Sequence, residues 1–259
     1  MPSGRIIALA NQKGGVGKTT TAVNLAACLA QAGEPTLLVD LDPQANATSG
    51  LGLRAERRSS LDLLDGAPLA ELTLATRLPH LELVPSGPAL AGVAVELARR
   101  GGSERYLSEA IAGARERYRF VFLDCPPALA PLTINALVAA DGVLVPVQAE
   151  YYALEGLAQL LHSIELVRAQ LNRALAVDGI LLTMVDTRTR LSLDVCREVR
   201  RHFGQLVFGA VVPRSVRLAE APSHGLPGVL YDSRSPAADA YWRVALELAE
   251  RLGGARQAA

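Results

Sequence analysis

Between the apolar run Arg5 to Ala10 and the helix-period segment Lys18 to Gln31 lies Lys13-Gly14-Gly15-Val16-Gly17-Lys18-Thr19. An apolar strand that enters a glycine-rich turn and leaves it directly as a helix is half of a crossover, which commits the chain to a parallel sheet with helices packed on it. The turn also has a chemistry of its own. Small residues let successive backbone N–H groups curl into a nest, and the helix N-terminus adds partial positive charge, so the turn suits a phosphate. The general template for such loops, G-x-x-x-x-G-K-[ST] between a strand and a helix, is met at its end by Gly17-Lys18-Thr19. A glycine turn that merely caps a helix has no need of the Lys-Thr pair.

The remaining pattern extends the same architecture. Candidate strands are Arg5 to Ala10, Thr36 to Asp40, Leu81 to Pro85, Phe120 to Asp124, Gly142 to Val147, Val177 to Val185 and Val207 to Val212. Candidate helices are Lys18 to Gln31, Ser103 to Arg117, Leu132 to Ala139, Leu154 to Leu171, Leu193 to Phe203 and Pro236 to Leu252. Runs such as Phe120-Val121-Phe122-Leu123 are apolar throughout, as strands covered on both faces are. The fold class expected is α/β: a doubly wound, mainly parallel sheet with helices on both faces, of the P-loop NTPase type, in one domain spanning 1–259. Arg54 to Pro79 is the least patterned stretch and is expected to be the most mobile.

Composition narrows the function. Twenty-six basic residues balance twenty-six acidic ones, so attraction to a polyanion or a membrane has to come from a local patch. Cys28, Cys125 and Cys196 stand apart, with no C-x-x-C pair, which argues against a zinc site and a disulfide scaffold and suits a reducing cytosol. The short N-terminal apolar run is too brief for a signal sequence or a membrane span. Only two of the twenty-six basic residues are lysine, Lys13 and Lys18. A chain that otherwise uses arginine keeps lysine at two places, which points to a need there for a compact ammonium in place of a planar fork.

The phosphate site can be read residue by residue. Gly14, Gly15, Val16, Gly17, Lys18, Thr19 and Thr20 form the cradle and the helix start, with Lys18 neutralising the β and γ phosphates and Thr19 offering its hydroxyl to Mg²⁺. Asp40-Leu41-Asp42-Pro43-Gln44 puts two carboxylates at the carboxyl edge of the sheet, where open α/β folds bind ligands. Asp42, on a proline-stiffened loop, can hold an attacking water beside the metal, although an Asp before a proline also caps turns. Phe120 to Asp124 has the Walker B form, with Asp124 serving the magnesium shell through a coordinated water. Lys18, Asp42 and Asp124 are candidate catalytic residues, and Thr19, Asp42 and Asp124 the candidate metal residues.

The general template asks for glycine where Gln12 stands, and the additional Lys13 follows it. In this the segment resembles the deviant Walker A motif K-G-G-x-G-K-[ST] of the ParA/MinD ATPases. Three further segments, Pro146 to Leu157, Leu182 to Thr189 and Pro213 to Gly225, resemble its ParA/Soj chromosome-partition branch. The resemblance implies that Lys13 reaches across a dimer to the nucleotide of the other subunit, which makes it a further candidate catalytic and nucleotide-binding residue, that Asp42 lies in switch I, and that Cys125-Pro126-Pro127 forms switch II. It places Met184, Asp186, Pro213 and Arg214 beside the adenine. It also names Arg188 and Arg217 as leading DNA contacts, followed by Arg197, Arg200 and Arg201. Between Asp186 and Glu220 seven arginines face four acids, although an arginine-rich helix face is often only solvated.

The expectation is therefore an ATPase, slow and partner-stimulated, using ATP and Mg²⁺. ATP joins a homodimer, the dimer binds non-specific double-stranded DNA, and a ParB/Spo0J-type centromere-binding partner triggers the hydrolysis that releases it, driving chromosome or plasmid segregation. The protein would be cytoplasmic and nucleoid-associated, without a membrane partner. Because the chain begins almost at the P-loop strand, a separate N-terminal DNA-reading extension is not expected. Two rivals stand beside this reading: a MinD-like membrane-bound regulator of division-site placement, which the tail Gly253 to Ala259 disfavours for lack of an apolar face, and a metabolic or redox enzyme on the same scaffold.

Overall fold

The computed structural model describes residues 4–55, 58–99 and 103–254. Seven strands, β1 (Arg5–Leu9), β2 (Thr36–Asp40), β3 (Leu74–Ala75), β4 (Leu81–Val84), β5 (Phe120–Asp124), β6 (Gly142–Gln148) and β7 (Ala176–Thr183), form one sheet in the order β3-β4-β2-β5-β1-β6-β7. All pair in parallel except the short edge strand β3, which runs antiparallel to β4. The helices are α1 (Lys18–Gln31), α2 (Asn46–Gly50), α3 (Ser60–Leu64), α4 (Leu69–Leu72), α5 (Leu90–Arg99), α6 (Tyr106–Ala110), α7 (Ala114–Arg117), α8 (Pro131–Ala139), α9 (Ala153–Gln170), α10 (Arg190–Phe203), α11 (Val216–Glu220), α12 (Gly228–Tyr231) and α13 (Pro236–Gly254). None of them is long and apolar enough to cross a membrane, and residues 255–259 of the tail lie outside the described residues.

Strand alternation divides the core in two. Ile6, Ala8, Val121, Leu123, Val143 and Val145 face one layer, packed by α5, α6, α8, α9 and α10, while Ile7, Leu9, Phe120, Phe122 and Leu144 face the other, packed by α1, α12 and α13. Successive side chains of a strand point to opposite faces, so an unbroken apolar run is what a doubly covered strand needs. In α1 the alanines Ala22, Ala26, Ala27 and Ala30 are all buried. Their small size lets the helix lie between the sheet and α13, where Thr21 Oγ1 and Tyr241 Oη share a buried hydrogen bond of 3.3 Å.

The winding positions the site. From β1 the chain passes through α1 to β2 on one side, whereas β5 leads through α8 to β6 on the other side of β1. The loop after β1 thus opens at the point where the winding reverses, the place where open α/β sheets leave a crevice.

Three expectations are corrected, and one helix is new. Val207 to Val212 is not a strand but a strap held to β7 by two separate contacts, Phe208 N to Ile180 O (2.9 Å) and Val212 N to Leu182 O (2.9 Å). Between them the Gly209 N–H turns away to the Glu247 carboxylate at 3.0 Å, so the ladder cannot continue. The helix expected over Ser103 to Arg117 breaks into a 3₁₀ turn, α6 and α7, with the break at Ile111 to Gly113. The stretch Arg54 to Pro79 is patterned where it is described: it holds α3, α4 and β3, and Ser59 and Asp62 cap α3 reciprocally. Residues 56 and 57 lie outside the described residues. Finally α5, with Leu90, Val93 and Leu97 buried on one stripe, was not expected.

Gly179 in β7 sits against the strap so closely that a Cβ there would overlap the Phe208 ring and approach Arg251 Nη1 to 3.1 Å. Gly179→Ala is expected to cost about 1–3 kcal/mol through overpacking. It should appear as a lower urea midpoint at unchanged m, and an unchanged midpoint would contradict this packing.

Candidate functional site

The loop between β1 and α1 is pinned at both ends. Asn11 donates from Nδ2 to Pro146 O (2.7 Å) on β6 and accepts from Lys13 N (3.0 Å). Thr183, at the end of β7, donates to Val16 O (2.8 Å). Gly15 and Gly17 take left-handed φ values of 73° and 86°, a region that side chains with a Cβ rarely adopt. Together these contacts hold the backbone curl open toward a cavity of about 450 Å³. Gly14, Gly15, Gly17, Lys18, Thr19, Thr20, Asp42 and Pro127 form its polar end; Met184, Leu218, Pro222, Leu226 and Pro227 contribute an apolar wall.

Lys18 and Asp42 line the polar end, and two further carboxyl groups, Asp40 and Asp124, lie near them without reaching the cavity wall. Register places Asp40 of β2 opposite Asp124 of β5, and Asp124 opposite Leu9 at the root of the loop. Asp40 and Asp124 are fully buried. Burial pushes the Asp124 carboxyl well up, and the neighbouring Asp40 adds to this, against the opposing pull of the Thr19 hydroxyl and the Lys18 ammonium. Neither Asp124 oxygen has a hydrogen-bond partner among the described residues. Asp40 is likewise raised, first by burial, but it accepts from Asp42 N (3.1 Å), Thr48 N (2.9 Å) and Thr48 Oγ1 (2.7 Å). Asp42 accepts from Gln44 N (2.9 Å), while its carbonyl takes the Ser86 hydroxyl (2.7 Å).

Lys18 is 6% exposed. Burial lowers its pKa, while Asp124, Cys125 and Asp42 pull the other way. Its ammonium donates to Lys13 O at 3.4 Å and forms no ion pair among the described residues, so it faces the cavity as a cation with charge to spare. An orphaned buried carboxylate beside a nest of N–H groups and an unpaired ammonium is a donor set that fits a divalent cation with a polyphosphate.

The other candidate residues are distributed as follows. Lys13 is exposed and its ammonium bonds Glu150 Oε2 at 2.8 Å, outside the cavity wall that Lys18 lines. Of the residues expected beside the base, Met184 is on the wall; Asp186, Pro213 and Arg214 are not. Asp186 instead binds Arg188 through both carboxylate oxygens. Arg197, Arg201 and Arg217 are each paired with an acid three residues away, and Arg200 donates to Gly209 O. The three cysteines are buried and unbridged, their thiols pushed up by burial.

Comparison with known proteins bears on this geometry. A family model described as an AAA domain matches residues 4–177. Over 249 residues the chain is 50% identical to the sporulation initiation inhibitor protein Soj of Bacillus subtilis, covering 95% of this chain and 98% of that protein. It is 56% identical over 248 residues to the chromosome-partitioning ATPase Soj of Thermus thermophilus, covering 96% of each. The chain belongs to the Soj/ParA family of chromosome-partitioning ATPases. A solved structure of cobyrinic acid a,c-diamide synthase from Mycobacterium smegmatis with bound ADP and magnesium matches at a TM-score of 0.84 and 34% identity, over 96% of this chain and 95% of that one. The Soj/ParA scaffold is thus shared with a protein that holds a nucleotide and magnesium.

Several residues that build this Soj/ParA site escaped the sequence reading. Asn11 and Thr183 anchor the loop, Asp40 anchors the turn carrying Asp42, and Asn24 ties α1 to α12 by accepting from Val229 N at 2.9 Å. Only Asp40 had a visible signal, its place in Asp-x-Asp. Thr183→Val keeps the shape but leaves the Val16 carbonyl without its donor. A stability loss of about 1–3 kcal/mol is expected, with faster hydrogen exchange at the loop amides; unchanged exchange would show that the bond does not hold the loop.

Proposed function

We propose that the protein is an ATP-dependent dimerisation switch that binds DNA non-specifically and hydrolyses ATP to drive segregation with a ParB/Spo0J-type partner. The observation that carries this reading is the separation of the two lysines. Lys18 serves its own cavity, whereas the Lys13 ammonium lies outside it on an exposed carboxylate. A cation needed only for its own phosphate site has no reason to be held there, while one that serves a second subunit does.

Within the cavity, the backbone N–H groups of Gly14 to Gly17 receive the phosphates, Lys18 neutralises the β and γ groups, and Met184 with the apolar wall receives the base. Thr19 and Asp124 would hold Mg²⁺, with Asp42 in reach, and the ion supplies neutralisation of charge developing on the phosphates. Asp42 orients the attacking water: its backbone is fixed from both sides by Asp40 and Ser86, and one carboxylate oxygen is occupied by Gln44 N, which leaves the other for the water. A rigid acceptor aligned with the reaction supplies positioning that a mobile one cannot. The slow turnover proposed suits a switch that must persist while bound.

Light scattering of the full chain with ATP, ADP and no nucleotide tests the switch. Asp42→Ala is expected to retain ATP and accumulate as a dimer, with hydrolysis lowered by at least about 10²-fold, the scale of a missing positioning or acid–base group. A strictly monomeric Asp42→Ala with ATP bound would count against the proposal. Gly14 has ordinary backbone geometry, and a Cβ there would meet only Pro127, at 3.9 Å. Gly14→Val is therefore expected to keep nucleotide affinity in calorimetry while blocking the close approach of a second subunit; undiminished dimerisation would contradict the placement of the interface at this loop.

A further inference from the structure

The basic segment from Asp186 to Glu220 contains two kinds of arginine. Arg188 donates from Nε (2.9 Å) and Nη2 (2.7 Å) to the two oxygens of Asp186. Arg217 donates to Glu220 at 3.0 Å, with Asp232 at 3.6 Å from its Nε. Each of these cations already has an anion. Arg190 and Arg214 are exposed, and neither has a carboxylate within ion-pair distance among the described residues.

The fold brings Arg214 beside Arg188, with Arg190 and Arg217 close to them along the chain. The bridge between Val185 and Pro213 brings Arg214 N to Val185 O at 3.1 Å, so Arg214 stands beside the carboxyl group that Arg188 grips. Arg190 opens α10, and Thr189 just before it bonds back to Asp186 O at 3.1 Å. Arg217 follows three residues after Arg214, beyond the Ser215 cap, in α11. Leu191 and Val216, respectively 51% and 71% exposed, adjoin Arg190 and Arg217 in the chain and offer apolar contact area beside them. An exposed ion pair is worth about 0–1 kcal/mol. Exchanging its carboxylate for a DNA phosphate is therefore nearly neutral, whereas Arg190 and Arg214 contribute their counterion release without first breaking an ion pair, Arg214 feeling Asp186 only at longer range.

We propose that Arg190 and Arg214 make the first phosphate contacts with duplex DNA, and that Asp186 and Glu220 are internal competitors that hold Arg188 and Arg217 until phosphates displace them. This rests on the DNA-binding reading above and reassigns Arg214 from the base pocket to the DNA face.

The test is a salt titration of binding to a random-sequence duplex by the full chain with ATP. It compares the wild type with Arg190→Ala, Arg214→Ala, Asp186→Asn and Glu220→Gln. Glu116→Gln, an exposed acid at the opposite edge of the sheet, controls for net charge. In the two arginine variants the slope of log affinity against log salt should fall by about 0.9 for each phosphate that is no longer neutralised, and by twice that in a symmetrical dimer. Affinity at fixed salt should rise roughly two- to five-fold in Asp186→Asn and Glu220→Gln, the equivalent of an exposed ion pair, and less in Glu116→Gln. Thermal melting checks each variant's fold, and Arg190→Gln and Arg214→Gln replace any alanine variant that melts early. Unchanged slopes in the arginine variants would overturn the first-contact assignment. Acid variants no better than the control would overturn the competitor role. A wild type that binds anionic vesicles but no duplex under any nucleotide condition would overturn the DNA reading itself, and this inference with it.

Discussion

Pairing of β5 with β1 on one side and β2 on the other is the constraint on which the site depends. Register carries Asp124 opposite both Leu9 and Asp40, so the loop after β1 and the acids of β2 and β5 emerge together at one edge. Two fully buried carboxyl groups side by side are costly, since burial raises the pKa of both, Asp40 raises Asp124 further and Asp42 raises Asp40. The fold offsets the cost unequally. Asp40 is given three donors and becomes a strut for the turn from Asp42 to Thr48, while Asp124 has no hydrogen bond of normal geometry among the described residues and is drawn on only by the nearby Thr19 hydroxyl and Lys18 ammonium. One acid is used up by the structure, while the other lies buried close to the Lys18 ammonium and the Thr19 hydroxyl.

Rigidity of the loop follows from the same sheet. Its glycines are permissive, and a permissive loop alone would lose entropy on binding an anion. Asn11 ties it to β6 and Thr183 ties it to β7, while α1 behind it is buried between sheet and α13. The curl is held before any phosphate arrives, and Lys18 projects from a helix start that has little room to shift.

Much of this was legible in the sequence. β1, β2, β5 and β6 are continuous apolar runs closed by Gly, Pro or Asp, and the Lys-Thr pair at a helix start identified the phosphate loop. Asp124 could be read because a single acid ended an apolar strand. What escaped depended on partners distant in the chain. Nothing near Gly209 announces that Glu247 will take its N–H and break the strand expected there. Nothing near Leu218 to Pro227 marks it as the wall of a cavity that begins two hundred residues earlier. The arginines of the basic segment were visible as a group, but their division into paired and free depends on which carboxylates the fold brings alongside.

The two lysines show why residue type alone could not assign roles. They are five positions apart in one loop and carry the same group. Lys18 is enclosed, its ammonium disfavoured by burial and favoured by Asp124, Cys125 and Asp42, so its charge belongs to the cavity. Lys13 lies on the outer side of the same glycine turn, its backbone fixed by Asn11 and its ammonium on Glu150 among exposed side chains, with Tyr151 and Tyr152 open to solvent next along the chain. An exposed ion pair of this kind holds its partners only weakly, so Lys13 can leave Glu150 for a stronger anion without disturbing the loop that Lys18 needs. Because the loop is anchored through the Asn11 amide and the Thr183 hydroxyl and not through the Lys13 side chain, one glycine turn can serve its own phosphate site and still present a cation outward.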